Sequence, residues 1–107
     1  MITSRDKIEE FGRQIGIEFG AERVILFGSY ALGSATEDSD VDLLVIGPFK
    51  GRSVDYSVKI RMKLRPKFPV DLIVRSSKQV QERLDMGDSF MRQILEQGKE
   101  VYEANNS

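Results

Sequence analysis

The stretch 24-VILFGSYALGSATEDSDVDLLVI-46 decides how this chain reads. Residues 24–27 are branched and aromatic and are stopped by Gly28, which is the signature of a short buried strand. Gly28 and Ser29 then turn the chain. A glycine there can take φ > 0 or let the backbone come close to a ligand, and Ser29 offers a hydroxyl and a backbone N–H at a helix start. The pair suits a phosphate. A short helix over residues 30–32 ends at Gly33, and the polar run 34–39 returns the chain to a second strand over 40–46. Asp40 and Asp42 stand at i and i+2 there, so the two-residue period of a strand puts both carboxylates on one face. Like charges that close are costly unless a cation sits between them. Leu43, Leu44, Val45 and Ile46 are apolar at every position, as in a strand covered on both faces, which leaves the carboxylates at its solvent-reachable N-terminal end. Two hard oxygen ligands beside a phosphate turn fit Mg²⁺, which takes one or two carboxylates and completes its octahedron with water and phosphate oxygens.

Composition narrows what can surround this motif. At 107 residues the chain reads as one small domain over 1–103, followed by a mobile tail over 104–107. Charged residues make up 31% and hydrophobic ones 40%, a balance that argues against disorder over most of the length. A formal net charge of −1 speaks against a protein whose main task is coating nucleic acid. With no Cys and no His, thiolate and imidazole metal sites and His-based acid–base catalysis are out, so any general base is a carboxylate or the substrate itself. No apolar run approaches membrane-spanning length and the start lacks a signal-peptide core, so the cytoplasm is the expected compartment.

Upstream, Thr3 or Ser4 caps a helix whose Ile8, Phe11, Ile15 and Phe19 recur at spacings of three and four, stopping at Gly20. Gly12 and Gly16 weaken that helix unless they allow a close approach to the sheet. Downstream, residues 47–51 form a loop and 53–64 a helix ended by Pro66 and Pro69, with Val54, Val58, Met62 and Tyr56 expected inward. Its basic outer side supplies Arg52, Lys59 and Lys63 as candidates to reach a triphosphate or an acidic partner. Residues 69–74 read as a third strand in which Asp71 stands alone among apolar neighbours. A charge in such a run needs compensation, either from Arg75 or a lysine in an ion pair, or as a third carboxylate beside Asp40 and Asp42. Two helices follow over 77–86 and 88–97, interrupted at Gly87, with Val80, Leu84, Phe90, Ile94 and Leu95 expected inward. Glu82, Asp85 and Asp88 fit helix-surface and capping roles, and 99–102 reads as a short extended piece.

The ordered set Gly28, Ser29, Ala31, Gly33, Ser39, Asp40, Asp42 and Leu43 resembles the nucleotidyltransferase superfamily that includes DNA polymerase beta. With Asp71 and the ending 94-ILEQG-98 followed by Val101 and Tyr102, the chain is similar over nearly its whole length to the minimal nucleotidyltransferases. That resemblance implies an α/β (α+β) fold, a small mixed β-sheet covered by helices on one side. It implies Asp40, Asp42 and Asp71 as catalytic and metal-binding residues, two Mg²⁺ ions, ATP as substrate, and Gly28 and Ser29 on its terminal phosphates. It further implies a hetero-oligomer with an all-helical HEPN-type toxin, onto which the enzyme moves AMP, commonly at a tyrosine, as an antitoxin. Tyr30 departs from the family, which often has Arg at that place. Three alternatives stay open: a nucleotidyltransferase with a small-molecule or RNA acceptor, a template-dependent polymerase, which length and charge disfavour, and a non-catalytic module that neutralises its partner by covering it.

Overall fold

In a computed structural model that describes residues 2–104, the elements run α1 (Arg5–Phe19), β1 (Arg23–Phe27), α2 (Ser29–Leu32), β2 (Val41–Ile46), α3 (Ser53–Leu64), β3 (Val70–Arg75), α4 (Ser77–Asp85), α5 (Ser89–Gln97) and β4 (Lys99–Glu103). The strands form one mixed sheet in the order β3-β2-β1-β4, with β2 and β3 parallel and the other pairs antiparallel. The tail expected over 104–107 lies outside the described residues except for Ala104, whose N–H donates to the Glu22 carbonyl at 2.8 Å.

The sheet is covered on both faces, as the unbroken apolar run of β2 required. Leu43 and Val45 enter a core with Ile8, Phe11 and Ile15 of α1 and Ile60 of α3. Leu44 and Ile46 enter a second core with Val80 of α4 and Met91 and Ile94 of α5. The one-sided cover implied by the family resemblance is therefore corrected: α4 and α5 close the face opposite α1 and α3. Ser4 caps α1 by accepting from the Lys7 N–H, and Gly20 ends it in the left-handed region. Gly12 and Gly16 do permit the close approach the sequence asked of them: a Cβ on Gly12 would run into Val101, and one on Gly16 into the Tyr102 ring.

The helix α3 is turned differently from expectation. Val54, Val58 and Met62 are 52%, 48% and 70% exposed, whereas Ser57 and Ile60 are buried. The inward row is Ser53, Ser57, Ile60 and Leu64, at helical spacings of four, three and four. Its two serines are small enough for close packing, and Ser53 Oγ accepts the Val74 N–H at 2.9 Å, which fixes the helix against β3. Phe90 of α5 likewise stays 53% exposed, and its neighbour Met91 takes the buried place.

Candidate active site

Asp42 is the second residue of β2, with Phe27 opposite it on antiparallel β1 and Asp71 opposite it on parallel β3. Paired residues of neighbouring strands project to the same side of a sheet. Phe27, Asp42 and Asp71 thus form a row across three strands, on the face that Leu44 and Ile46 present to α4 and α5. Asp42 is half-buried and Asp71 is exposed. Asp40 lies one residue before β2 rather than inside it, because the first ladder contact there is the Val41 N–H donating to the Pro69 carbonyl at 2.9 Å. Ser39 shapes the turn that delivers Asp40: its hydroxyl accepts the Thr36 N–H at 2.9 Å and its own N–H donates to the Thr36 carbonyl at 3.1 Å.

The electrostatics single out Asp42. Burial first, then the negative charges of Asp71 and Asp40, push its carboxyl from 3.8 up to about 6. Among the described residues no ion pair involves any of the three aspartates, and Arg75 donates instead to the Val74 carbonyl at 2.9 Å. The ion-pair explanation of Asp71 is thereby set aside. Asp42 and Asp71 are brought together; Asp40 is close enough to act on Asp42 through its charge, yet among the described residues no three carboxylates group around one point. Hard oxygen donors with uncompensated charge are the donor set Mg²⁺ requires, and on that ground the residues fit the ion.

Gly28 completes this corner. Its φ of 74° with ψ of −153° belongs to a region open essentially to glycine alone, and a Cβ there would press on the Asp42 carboxylate. The Gly28 carbonyl accepts from the Ala31 and Leu32 N–H groups, both at 3.1 Å. Among the described residues the Ser29 and Tyr30 N–H groups, at the start of α2, have no backbone acceptor. Tyr30 itself faces the other way: its ring packs on the α1 and α3 core and its hydroxyl accepts the Thr3 N–H at 3.0 Å. The tyrosine thus anchors the start of α1.

The basic candidates of α3 also belong to the opposite face. Arg52 pairs with Asp55 at 3.8 Å, Lys63 with Glu18 at 3.1 Å, and Lys59 stands 5.3 Å from the Tyr56 ring centroid. Asp88 caps α5 as expected, and the Met91 N–H together with Arg83 holds its carboxyl below the usual range. What sequence reasoning missed is aromatic. Phe27 meets Phe90 edge to face, with centroids 5.8 Å apart, at a cleft of about 100 Å³ that Gly28 also lines. No periodicity argument pairs Phe27 with Asp42; only the antiparallel register does. A larger recess of about 640 Å³ lies between the start of α1 and residues 64–69, and none of the three aspartates lines it.

A four-stranded mixed sheet that sets a Gly-Ser turn beside a strand-end pair of aspartates has the layout of a nucleotidyltransferase catalytic core. The chain belongs to the nucleotidyltransferase domain family, which matches it over residues 6–101. It is 37% identical over 83 residues to MJ0604 of Methanocaldococcus jannaschii, a "putative protein adenylyltransferase", covering 76% of this chain and 78% of that one. Among solved structures it is similar in fold to a "putative nucleotidyltransferase" from Sulfolobus solfataricus, with a TM-score of 0.62 and 19% identity over 95% of this chain and 82% of that one. A toxin–antitoxin structure with AMP-PNP shares the fold at a TM-score of 0.56 and 21% identity, over 96% and 76% of the two chains. No helix among the described residues is long and apolar enough to cross a membrane.

Proposed function

We propose that this nucleotidyltransferase moves AMP from ATP onto a hydroxyl of a partner protein, a HEPN-type toxin that it thereby silences, in the cytoplasm. The observation that carries the reading is the Asp42–Asp71 pair, two adjacent carboxylates with no ion pair among the described residues, beside the Gly28–Ser29 turn. The likeness to MJ0604 supports a protein as acceptor. The HEPN class of the partner follows from the resemblance to minimal nucleotidyltransferases, and the fold neighbour that is a toxin–antitoxin structure supports a toxin as partner.

In this mechanism Asp40, Asp42 and Asp71 would hold Mg²⁺, with two ions in the complete site. When bound, Mg²⁺ neutralises charge at the attacking and leaving oxygens and lowers the pKa of the acceptor hydroxyl. Gly28 and Ser29 offer backbone N–H groups and a hydroxyl to the terminal phosphates. Asp71, the exposed member of the row, accepts the proton of the acceptor hydroxyl. The acceptor oxygen bonds to the α-phosphorus as the α–β bridging P–O bond breaks, and pyrophosphate leaves.

A second reading is a module that neutralises its partner stoichiometrically by covering it. Transfer of label from α-labelled ATP with Mg²⁺ separates the two. Label reaching the partner at substoichiometric amounts of this chain, and lost in the Asp40→Asn, Asp42→Asn double variant, supports catalysis. Neutralisation only at equimolar amounts and without ATP supports the module, and label on RNA or a small molecule instead would change the acceptor.

A further inference from the structure

We propose that the Phe27–Phe90 pair and the glutamines of α5 form the seat for the purine base of the bound nucleotide, so that α5 reads the base while the Gly28 turn and the aspartates read the phosphates. The inference rests on the reading of this chain as an ATP-using nucleotidyltransferase and deepens it.

The row across the sheet begins with Phe27, which is opposite Asp42, and Phe27 directly precedes Gly28. An apolar surface therefore adjoins the place where phosphates and carboxylates meet. Phe90 leans on Phe27 edge to face at an interplanar angle of 82°, leaving a ring face turned away from the contact, and the residue is 53% exposed. A large aromatic side chain held by another ring yet left open offers a face on which a planar base can stack. The cleft beside it, about 100 Å³, is lined by Phe27, Gly28, Leu32, Phe90, Gln93 and Gln97. That volume suits a single planar ring system rather than a protein segment.

The polar groups of the cleft complete the match. Phe90, Gln93 and Gln97 recur at spacings of three and four, so they share one side of α5. Gln93 Nε2 donates to Gln97 Oε1 at 3.1 Å. The bond leaves the Gln93 carbonyl oxygen as an acceptor and the Gln97 amide nitrogen as a donor. These two groups stand at opposite ends of the hydrogen-bonded pair, so each can meet a different polar atom on the edge of a base.

Titration calorimetry with Mg²⁺ tests this on the full chain, using AMP-PNP and inorganic tripolyphosphate as probes. Phe90→Leu keeps an apolar contact on Phe27 but removes the aromatic face. The expected result is a loss of about ten-fold in affinity for AMP-PNP, in line with base–aromatic stacking, with tripolyphosphate unaffected. Gln93→Ala is further expected to weaken AMP-PNP binding while leaving tripolyphosphate unaffected. Unchanged AMP-PNP affinity in Phe90→Leu, or equal weakening of both probes, overturns the inference while leaving the nucleotidyltransferase reading in place. Wild-type protein that binds neither probe overturns both together.

Discussion

Replacing Asp42 by Asn should stabilise the protein in the absence of metal while removing its chemistry. The carboxyl stands at about 6 in the folded chain against an ordinary 3.8, so folding has to work against its ionisation. Below pH 3.8 it is protonated in both folded and unfolded chains and contributes nothing. As pH rises from 3.8 towards 6 the unfolded chain gives up the proton first, and stability falls; above 6 the full cost is present. The gap sets a ceiling of about 3 kcal/mol, and solvent screening of this half-exposed group reduces it to about 1 kcal/mol. An increment of that size raises the melting temperature of a domain this small by about 4–8 °C. The assay is thermal and urea unfolding in EDTA at pH 7.5 and pH 4, with transfer activity measured in parallel. Asp42→Asn should melt higher at pH 7.5, the advantage should shrink by pH 4, and added Mg²⁺ should raise wild type more than the variant. An Asn variant that is no more stable at pH 7.5, or that gains as much from Mg²⁺ as wild type, would refute the argument that uncompensated charge at Asp42 awaits a cation.

Gly28→Ala combines a backbone region closed to other residues with a Cβ pressed against the Asp42 carboxylate; a loss of about 1–3 kcal/mol by urea unfolding and abolished transfer are expected. For α3, the two candidate inward faces give opposite outcomes in the same assay. Ile60→Ala should cost about 2–5 kcal/mol as a cavity in the core, whereas Met62→Ala, on the exposed ridge, should stay within about 0.5 kcal/mol.

Much of this site could be read before any coordinates because its parts are local. Gly28, the turn at Ser29 and the approach of Asp40 and Asp42 all lie within one strand–turn–strand unit, where spacing alone fixes direction. From its own residues Asp71 was legible as a charge demanding an explanation, and the family resemblance put it beside Asp40 and Asp42; its place opposite Asp42 is a matter of parallel register, set by the crossover through α3, which no local pattern encodes. The rotation of α3 shows a different failure. Val54, Val58 and Met62 make a more apolar row than Ser53, Ser57, Ile60 and Leu64, so a count of hydrophobic residues prefers the wrong side. Close packing on a sheet favours small residues, and the Ser53 bond to β3 decides between the rows. The Phe27–Phe90 contact escaped because it is tertiary, made between β1 and α5.

The order of strands also has a consequence for how the protein comes into being. β1 carries Phe27 and leads into Gly28, yet one of its two neighbours is β4, with Arg23 opposite Glu103. Until residue 103 has left the ribosome, β1 is an edge with open hydrogen-bonding groups, and the glycine side of α1 lacks the Val101 and Tyr102 side chains that fill it. The part of the chain that holds all three aspartates is made early but finished late. The strand that leads into Gly28 therefore gains its second neighbour only when residues 99–103 join the sheet as β4.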